Sequence, residues 1–290
     1  MKKNLLGSLA GIFFMGLFVL PLAAQEKPLV VSAQAETGIV RPLVHTIQIG
    51  QNGYRFDYVN EGGQEILRPW FRFEVDAVIK DRHQITFLYQ PLTLLSSTRV
   101  DVEDGLLIDD VRFVHDTPLD LQYGFDFYRG GYKYRIINSE KTQLALGAAL
   151  QIRNASIIFD GYQEAAGGGI EEARVVTQDL GPVPVLSFEL NKRFGSRFFM
   201  EAGLDGFYAP VRYLNLRDVD VVGWLYDASL RVGVDWIENS QVYVGLRALG
   251  GGADGTAGER SLWTQSRSEP RYTWNNLNLV SLSLGARLGQ

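Results

Sequence analysis

Apolar and polar residues alternate along much of this chain with a period of two, which is the period of a β-strand that has one apolar face. The longest unbroken example runs from Trp224 to Trp236. Every second residue of this segment is apolar, and the residues between them are mostly charged, small or polar. Strands in soluble proteins usually have about five to six residues. The segment therefore predicts one unusually long amphipathic strand.

The length of this strand indicates a membrane. Trp224, Tyr226 and Trp236 share the apolar face, and the two tryptophans are twelve residues apart. At ~3.3 Å per residue and a tilt of ~40°, that spacing projects to about 30 Å, close to the height between two aromatic membrane-interface belts. We therefore predict that these three residues lie at membrane interfaces. A secreted β-sandwich, with the apolar face in a core, is the alternative interpretation.

The same alternation recurs in the segments 71–80, 143–153, 198–208 and 242–248. Between 121 and 136 the apolar residues change parity, and Gly130 and Gly131 at that point predict a β-bulge. Short polar connections alternate with longer loops that are rich in Gly and Asp, as in membrane barrels. Counting these segments predicts about ten strands, with eight and twelve left open.

The closing segment, 277–288, has alternating apolar residues and a glycine. Together with the alternation of short and long connections, it resembles the outer-membrane β-barrel proteins of Gram-negative bacteria over residues 43–290. The resemblance implies an all-β, transmembrane, antiparallel up-and-down β-barrel of about ten strands, with short periplasmic turns and longer extracellular loops. The chain departs from the pattern at its end, Leu288-Gly289-Gln290, where many such barrels have an aromatic residue.

The first residues have the composition of a secretory signal peptide, with Lys2 and Lys3 before an apolar run and a small-residue cleavage site near Ala24. An uncleaved membrane anchor is the alternative. We assign residues 1–24 to the signal peptide, 25–42 to a periplasmic N-terminal segment, and 43–290 to the barrel. Export predicts an outer-membrane location, with outer-membrane lipids, lipopolysaccharide and the barrel-assembly machinery as partners.

Composition excludes several classes of function. The chain has no cysteine, which rules out disulfides and thiolate metal sites. Its net charge of −5 offers no overall basic footprint, so we expect no nucleic-acid partner. His45, His83 and His115 are far apart in the sequence, so no zinc constellation is indicated. We therefore predict no metal and no cofactor.

The polar face of each strand is expected to line the lumen, and it has charges of both signs. A barrel of about ten strands has a narrow interior, so we expect these side chains to pair and fill it. A narrow pore for small solutes is the second possibility. The predicted lumen-lining residues are Arg72, Glu74, Asp76, Asp126, Arg153, Glu201, Asp205, Asp227, Arg231, Asp235 and Arg247.

The loop at 101–116 has the clearest candidates for catalysis, because five acidic residues precede His115-Asp116. An Asp/His group at the outer rim resembles the omptin proteases, which are ten-stranded barrels that work with an Asp pair and an Asp–His pair. The resemblance implies Asp109, Asp110, His115 and Asp116 as candidates, although here they all share one loop. A solvated acidic loop and a divalent-cation cluster are alternatives.

The sequence as a whole favours a non-enzymatic barrel with a structural or surface role in the cell envelope. The alternative is an outer-membrane enzyme, either a hydrolase that modifies lipid A or an omptin-like protease, with a site at the extracellular rim.

Overall fold

The computed structural model describes residues 29–64, 67–210, 220–257 and 271–289, so the assigned signal peptide lies outside the described residues. No helix in the described part of the chain is long and apolar enough to cross a membrane. The strands are β1 (Val30–Ile49), β2 (Arg55–Asp57), β3 (Arg68–Ile79), β4 (His83–Gln90), β5 (Thr93–Arg99), β6 (Leu106–Ile108), β7 (Val111–Phe113), β8 (Pro118–Asn138), β9 (Thr142–Glu164), β10 (Ile170–Phe194), β11 (Phe198–Pro210), β12 (Asp220–Asp235), β13 (Ser240–Ala257) and β14 (Arg271–Leu288).

The long strands form one closed antiparallel barrel of ten strands, in which β4 and β5 are successive parts of a single strand because both pair with β8. The order around the barrel follows the order along the chain. The ring closes where the first strand, β1, pairs with the last strand, β14. The predicted all-β up-and-down barrel of about ten strands is therefore confirmed.

The two ends of the barrel differ in their connections. Short turns join β3 to β4, β8 to β9, β10 to β11 and β12 to β13, and β1 begins and β14 ends beside them. We call this the turn end. The longer connections, including those from β1 to β3 and from β5 to β8, lie at the opposite, loop end. Because consecutive strands are antiparallel, turns and loops must alternate between the two ends.

The strand β12 follows the predicted alternation, and it pairs residue by residue with β11 and β13. Its even-numbered side chains face outward and its odd-numbered ones face inward. Val232 is exposed, whereas the neighbouring Arg231 and Asp227 are buried. Trp236, just beyond the strand, is 69% exposed on the outer surface.

The barrel begins earlier than the sequence pattern indicated. Residues 30–42, which we assigned to a segment before the barrel, belong to β1 and pair with β3 on one side and β14 on the other. A register shift between Pro42 and Val44 reverses the parity, so that Glu36 faces inward before it and His45 faces inward after it. This bulge hides the period of two when the segment is read across it.

The predicted bulge at 129–131 in β8 is wrong. Pairing with β9 continues through these residues, and the register shifts instead between Arg135 and Ile137. Phe127 is fully buried inside the barrel, and Tyr128 is exposed outside. The apolar residues change face because the interior itself changes from charged to apolar along this strand.

The interior consists of two layers. Buried charged side chains fill the turn end, and an apolar core fills the loop end. The connections from β1 to β3 and from β5 to β8, with the short strands β2, β6 and β7, fold into the mouth and contribute to this core. Its most deeply buried members are Ile47, Ile49, Tyr58, Leu94, Leu106, Ile108, Phe113, Leu119, Phe127 and Phe159.

Candidate functional site

Charged side chains from most strands meet inside the turn half of the barrel, because strand alternation places all of them on the inner face. Asp227 of β12 lies at one centre of this network. It accepts hydrogen bonds from Arg247 Nη1 at 2.5 Å, Arg129 Nη1 at 3.2 Å and Arg72 Nη1 at 3.3 Å. One buried carboxylate thus joins guanidinium groups from β3, β8 and β13.

A second centre lies beside it, nearer the turn end. Arg231 donates to Glu201 and, at 3.1 Å, to Glu36. Glu201 also accepts from Arg287 Nη2 at 2.6 Å, and Glu36 accepts from Ser283 Oγ at 2.6 Å. These contacts tie β1, β11, β12 and β14 together across the lumen.

A third group of contacts extends the network towards β4 and β10. Lys133 pairs with Glu189, and Asp76 accepts hydrogen bonds from Gln84 at 3.0 Å and Thr86 at 2.5 Å. Buried charges of this kind are tolerated only when they are paired and hydrogen-bonded. Lys133 and Glu189 meet that requirement as an ion pair, and Asp76 is held by hydrogen bonds from two neutral side chains of β4.

A small cavity lies within the network. Its volume is about 50 Å³, which is room for roughly three to five water molecules. The Nε atoms of Arg72, Arg231 and Arg247, which line it, have no protein hydrogen-bond partner among the described residues. Ordered water is the natural acceptor for such donors, and the cavity is large enough to hold it.

The structure places most of the predicted lumen-lining residues on the inner face. Buried there are Arg72, Glu74, Asp76, Glu201, Asp227, Arg231 and Arg247. Half-buried and also facing inward are Arg153, Asp205 and Asp235.

Asp126 is the exception, and its assignment to the lumen was wrong. It lies on the outer face of β8 with Tyr128, because Phe127 between them is fully buried. Its Oδ1 accepts a hydrogen bond from the backbone N–H of Leu92 at 2.8 Å, at the break between β4 and β5. Alternation predicts that the apolar face of this strand is the outer one, but the interior at the loop end is itself apolar, so this face lies inside.

The three residues predicted at membrane interfaces all lie on the outer surface. Trp224 and Tyr226 are half-buried near the loop end of β12, and Trp236 is exposed at the turn end. The hydroxyl of Tyr226 donates to Asn278 Oδ1 at 2.6 Å. Its ring lies over Gly250, where a side chain would overlap it.

The catalytic candidates occupy two different places on one loop. Asp109 and Asp110 form the tight turn between β6 and β7, whose residues pair directly across that turn. His115 and Asp116 follow β7 at its other end, five residues or more from Asp110, and both are exposed. Extended chain rises ~3.3 Å per residue, so the two pairs are well separated.

The environment of Asp116 is that of a surface ion pair. Arg99 Nε donates to its Oδ1 at 2.8 Å, and this hydrogen bond lowers the pKa of Asp116 below its usual value. Within the described ranges, no three His, Asp or Glu side chains are arranged to hold a metal ion.

The role of His45 cannot be read from the sequence pattern around it. Its ring is buried in the apolar layer, where Nδ1 is 2.6 Å from Gln64 Oε1 and the ring stacks on Tyr58 with centroids 4.1 Å apart. Tyr123 of β8 contacts the same ring edge-on at 4.4 Å. These contacts hold the β1–β3 connection inside the mouth. The residues involved are far apart in sequence, so no local pattern predicts them.

No protein-family model matches this sequence, and no curated protein matches it significantly. Among solved structures, the outer membrane protease OmpT of Escherichia coli has a TM-score of 0.50 and 11% identity, covering 92% of this chain and 99% of that chain. A FadL homologue of Pseudomonas aeruginosa has a TM-score of 0.40 and 9% identity, covering 89% of this chain and 90% of that one. The similarity to OmpT shows that this chain has the fold of an outer-membrane β-barrel, and at this identity it shows the fold alone.

Proposed function

We propose that this protein is a closed barrel of the Gram-negative outer membrane, and that its role is structural or depends on its outer surface and loops. The filling of the interior carries this proposal. A layer of paired charges occupies the turn half, and an apolar layer occupies the loop half above it. A solute passing through would have to displace both.

The membrane placement is supported by the outer surface. The outward side chains between the two ends are apolar and well exposed, which is unfavourable in water but suits hydrocarbon. Aromatic residues flank this belt on β12 at both ends, as in other membrane barrels. Examples of its exposed members are Phe71, Phe73, Val75, Leu150, Leu204, Val232, Leu246 and Leu284.

The pore interpretation has less support than the closed barrel. Asp227 is joined to three guanidinium groups from different strands, and separating a buried ion pair without replacing a partner costs about 3–5 kcal/mol. The protease interpretation also has less support, because Asp110 and His115 lie at opposite ends of β7. The activity in the name of OmpT is therefore not carried over to this chain.

Single-tryptophan variants test the membrane placement. One variant keeps only Trp236, which is 69% exposed on the outer surface, and the matched control keeps only Trp70, which is 2% exposed and faces inward. All other tryptophans become phenylalanine. In vesicles containing brominated lipids, we expect strong fluorescence quenching of Trp236 and little quenching of Trp70. Equal quenching of the two, or none of Trp236, would exclude this placement.

Planar-bilayer recording tests the closure of the lumen. We expect no steady conductance after insertion of the wild-type protein. Protease protection of the same preparation must show separately that the protein has inserted, because a bilayer without inserted protein would also show no conductance. Stable, reproducible conductance steps would contradict the closed barrel and support a narrow pore.

A further inference from the structure

Basic side chains are concentrated on three turns at the turn end of the barrel. These turns join β3 to β4, β8 to β9 and β10 to β11, and they follow one another around the ring. Within residues 80–82, 139–141 and 192–197, all of which the structure describes, five basic side chains are exposed, against the two acidic ones of Asp81 and Glu140. We call the five basic residues the basic rim: Lys80, Arg82, Lys141, Lys192 and Arg197.

Hydrogen bonds join the three turns into one surface. The backbone N–H of Arg135, near the end of β8, donates to Arg82 O at 2.9 Å, and Arg82 Nη1 donates to Arg135 O at 3.2 Å. The backbone N–H of Arg193 donates to Lys141 O at 2.9 Å. Arg193 itself is not part of the rim, because its guanidinium pairs with Asp235. The basic rim is therefore one continuous strip, in which the first turn is tied to the strand before the second turn, and the second turn to the third.

The basic rim lies directly beyond the apolar belt. Ile79, which precedes Lys80, and Phe198, which follows Arg197, are both exposed on the outer surface. Lys192 is exposed on the outward face of β10. Long basic side chains at such positions cover apolar surface with their methylene groups and extend their charges to the polar region. With the barrel in a membrane as proposed above, the rim is level with the lipid headgroups of the leaflet at the turn end.

Two other connections have the opposite charge. The turn from β12 to β13 has one exposed acidic side chain, Glu238, and no basic one. At the loop end, the connection 101–116 has six acidic residues and one arginine. Neither of these connections offers the positive charge of the rim, so an anionic ligand is favoured at the three basic turns.

Electrostatic attraction at such a rim selects anionic lipids over zwitterionic ones. A Lys or Arg side chain at a membrane surface strengthens the binding of anionic lipid by roughly fivefold, and several such side chains act together. Asp81 and Glu140 reduce the excess of positive charge but do not cancel it.

We propose that the basic rim binds anionic glycerophospholipids of the leaflet at the turn end, with their headgroup phosphates on its lysine and arginine side chains. Phosphate forms strong charge-assisted hydrogen bonds with both groups. The inference rests on the proposed membrane placement.

Fluorescence quenching tests the proposal beside the third turn. Trp236 is close to Arg197, because the backbone N–H of Asp235 donates to Arg197 O at 2.8 Å. The full chain with Trp236 as its only tryptophan is placed in phosphatidylcholine vesicles with a minor fraction of brominated phosphatidylglycerol or, in parallel, of brominated phosphatidylcholine. We expect brominated phosphatidylglycerol to quench Trp236 more strongly than brominated phosphatidylcholine. This difference should disappear at about 0.5 M salt, where exposed charges are screened.

Charge-removing variants in the same background test the role of the rim. We expect K192Q/R197Q to require about tenfold more brominated phosphatidylglycerol than the parent chain for the same quenching. Replacing all five rim residues by glutamine should abolish the difference between the two lipids. The matched control is R174Q, because Arg174 is an exposed arginine of the same strand as Lys192 but lies towards the loop end, where it pairs with Asp160. Its quenching curve should equal that of the parent chain.

Each outcome decides the proposal. Equal quenching by the two brominated lipids, or an unchanged curve for K192Q/R197Q, overturns it. An equal loss in R174Q also overturns it, because the preference would then depend on the net charge of the protein and not on the rim. Quenching by neither lipid would refute the membrane placement instead. Binding to isolated peptidoglycan without any lipid preference would assign the rim to the cell wall and overturn the lipid proposal.

Discussion

Replacing Asp227 by asparagine should destabilise the barrel more than any other single loss of charge in its wall. The side chain keeps its size, so the packing of the lumen is unchanged. The substitution removes the negative charge of the carboxylate, which accepts hydrogen bonds from Arg72, Arg129 and Arg247. All four side chains are nearly inaccessible to water.

The expected magnitude follows from this geometry. Removing one partner of a buried ion pair costs about 3–5 kcal/mol, because the remaining charge is left without compensation. Arg72 and Arg129 keep other acceptors in Glu74 and Asp205, whereas Arg247 is left with Glu36 at 3.7 Å. We therefore expect a loss of about 3 kcal/mol or more, most of it arising at Arg247.

Urea unfolding in lipid vesicles, followed by tryptophan fluorescence, measures this loss as a lower midpoint at an unchanged slope. The matched control is D160N, which breaks an exposed ion pair with Arg174 and should cost at most about 1 kcal/mol. Adding R247M to D227N removes the unpaired cation, so we expect it to recover part of the stability.

Equal midpoints for D227N and D160N would refute the reasoning, because the network would then contribute no more than a surface pair. A double variant less stable than D227N alone would also contradict it, since the loss would then come from packing and not from charge.

Three further predictions follow from other parts of the molecule. G252A should cost about 1–3 kcal/mol because a methyl group would overlap a tryptophan ring and a backbone oxygen, whereas G130A, in open space, should stay within about 0.5 kcal/mol in the same urea assay. The hydrogen bond from Tyr54 to Glu61 stabilises the neutral phenol and raises the pKa of Tyr54 to about 12. This hydrogen bond is lost as the pH rises through that value. E61Q should therefore lower the pKa of Tyr54 in an ultraviolet titration. F113A removes a fully buried ring from the apolar layer and should cost about 3–5 kcal/mol; an unchanged midpoint would contradict a packed mouth.

The long strands could be predicted because each keeps one parity for many residues. The period of β12 is unbroken, and its charged side is the side that the structure buries. Alternation gave wrong predictions where the register of a strand shifts, and where the barrel interior changes from charged to apolar. In β1 the shift at Pro42 concealed the strand, and in β8 the apolar face turned out to be the inner one.

In the candidate site, too, alternation predicts which side chains face the lumen but not which of them pair. That Arg72, Asp227 and Arg247 face the lumen follows from alternation alone. The contacts of Asp227 with three arginines depend on how the strands are staggered against one another. Arg72 and Asp227, for example, are 155 positions apart in the sequence, so no local pattern encodes their contact.

The sequence by itself determined the class of fold, because a two-residue period sustained over a membrane thickness is a local property of the backbone and its side chains. The tertiary structure alone decided what fills the barrel. Folding the β1–β3 and β5–β8 connections into the mouth makes the interior apolar at that end, whereas the other end is charged. This arrangement depends on contacts between segments that are distant in the chain. Which face of a strand lies inside the barrel depends on the other strands, so it is decided only when the ring closes.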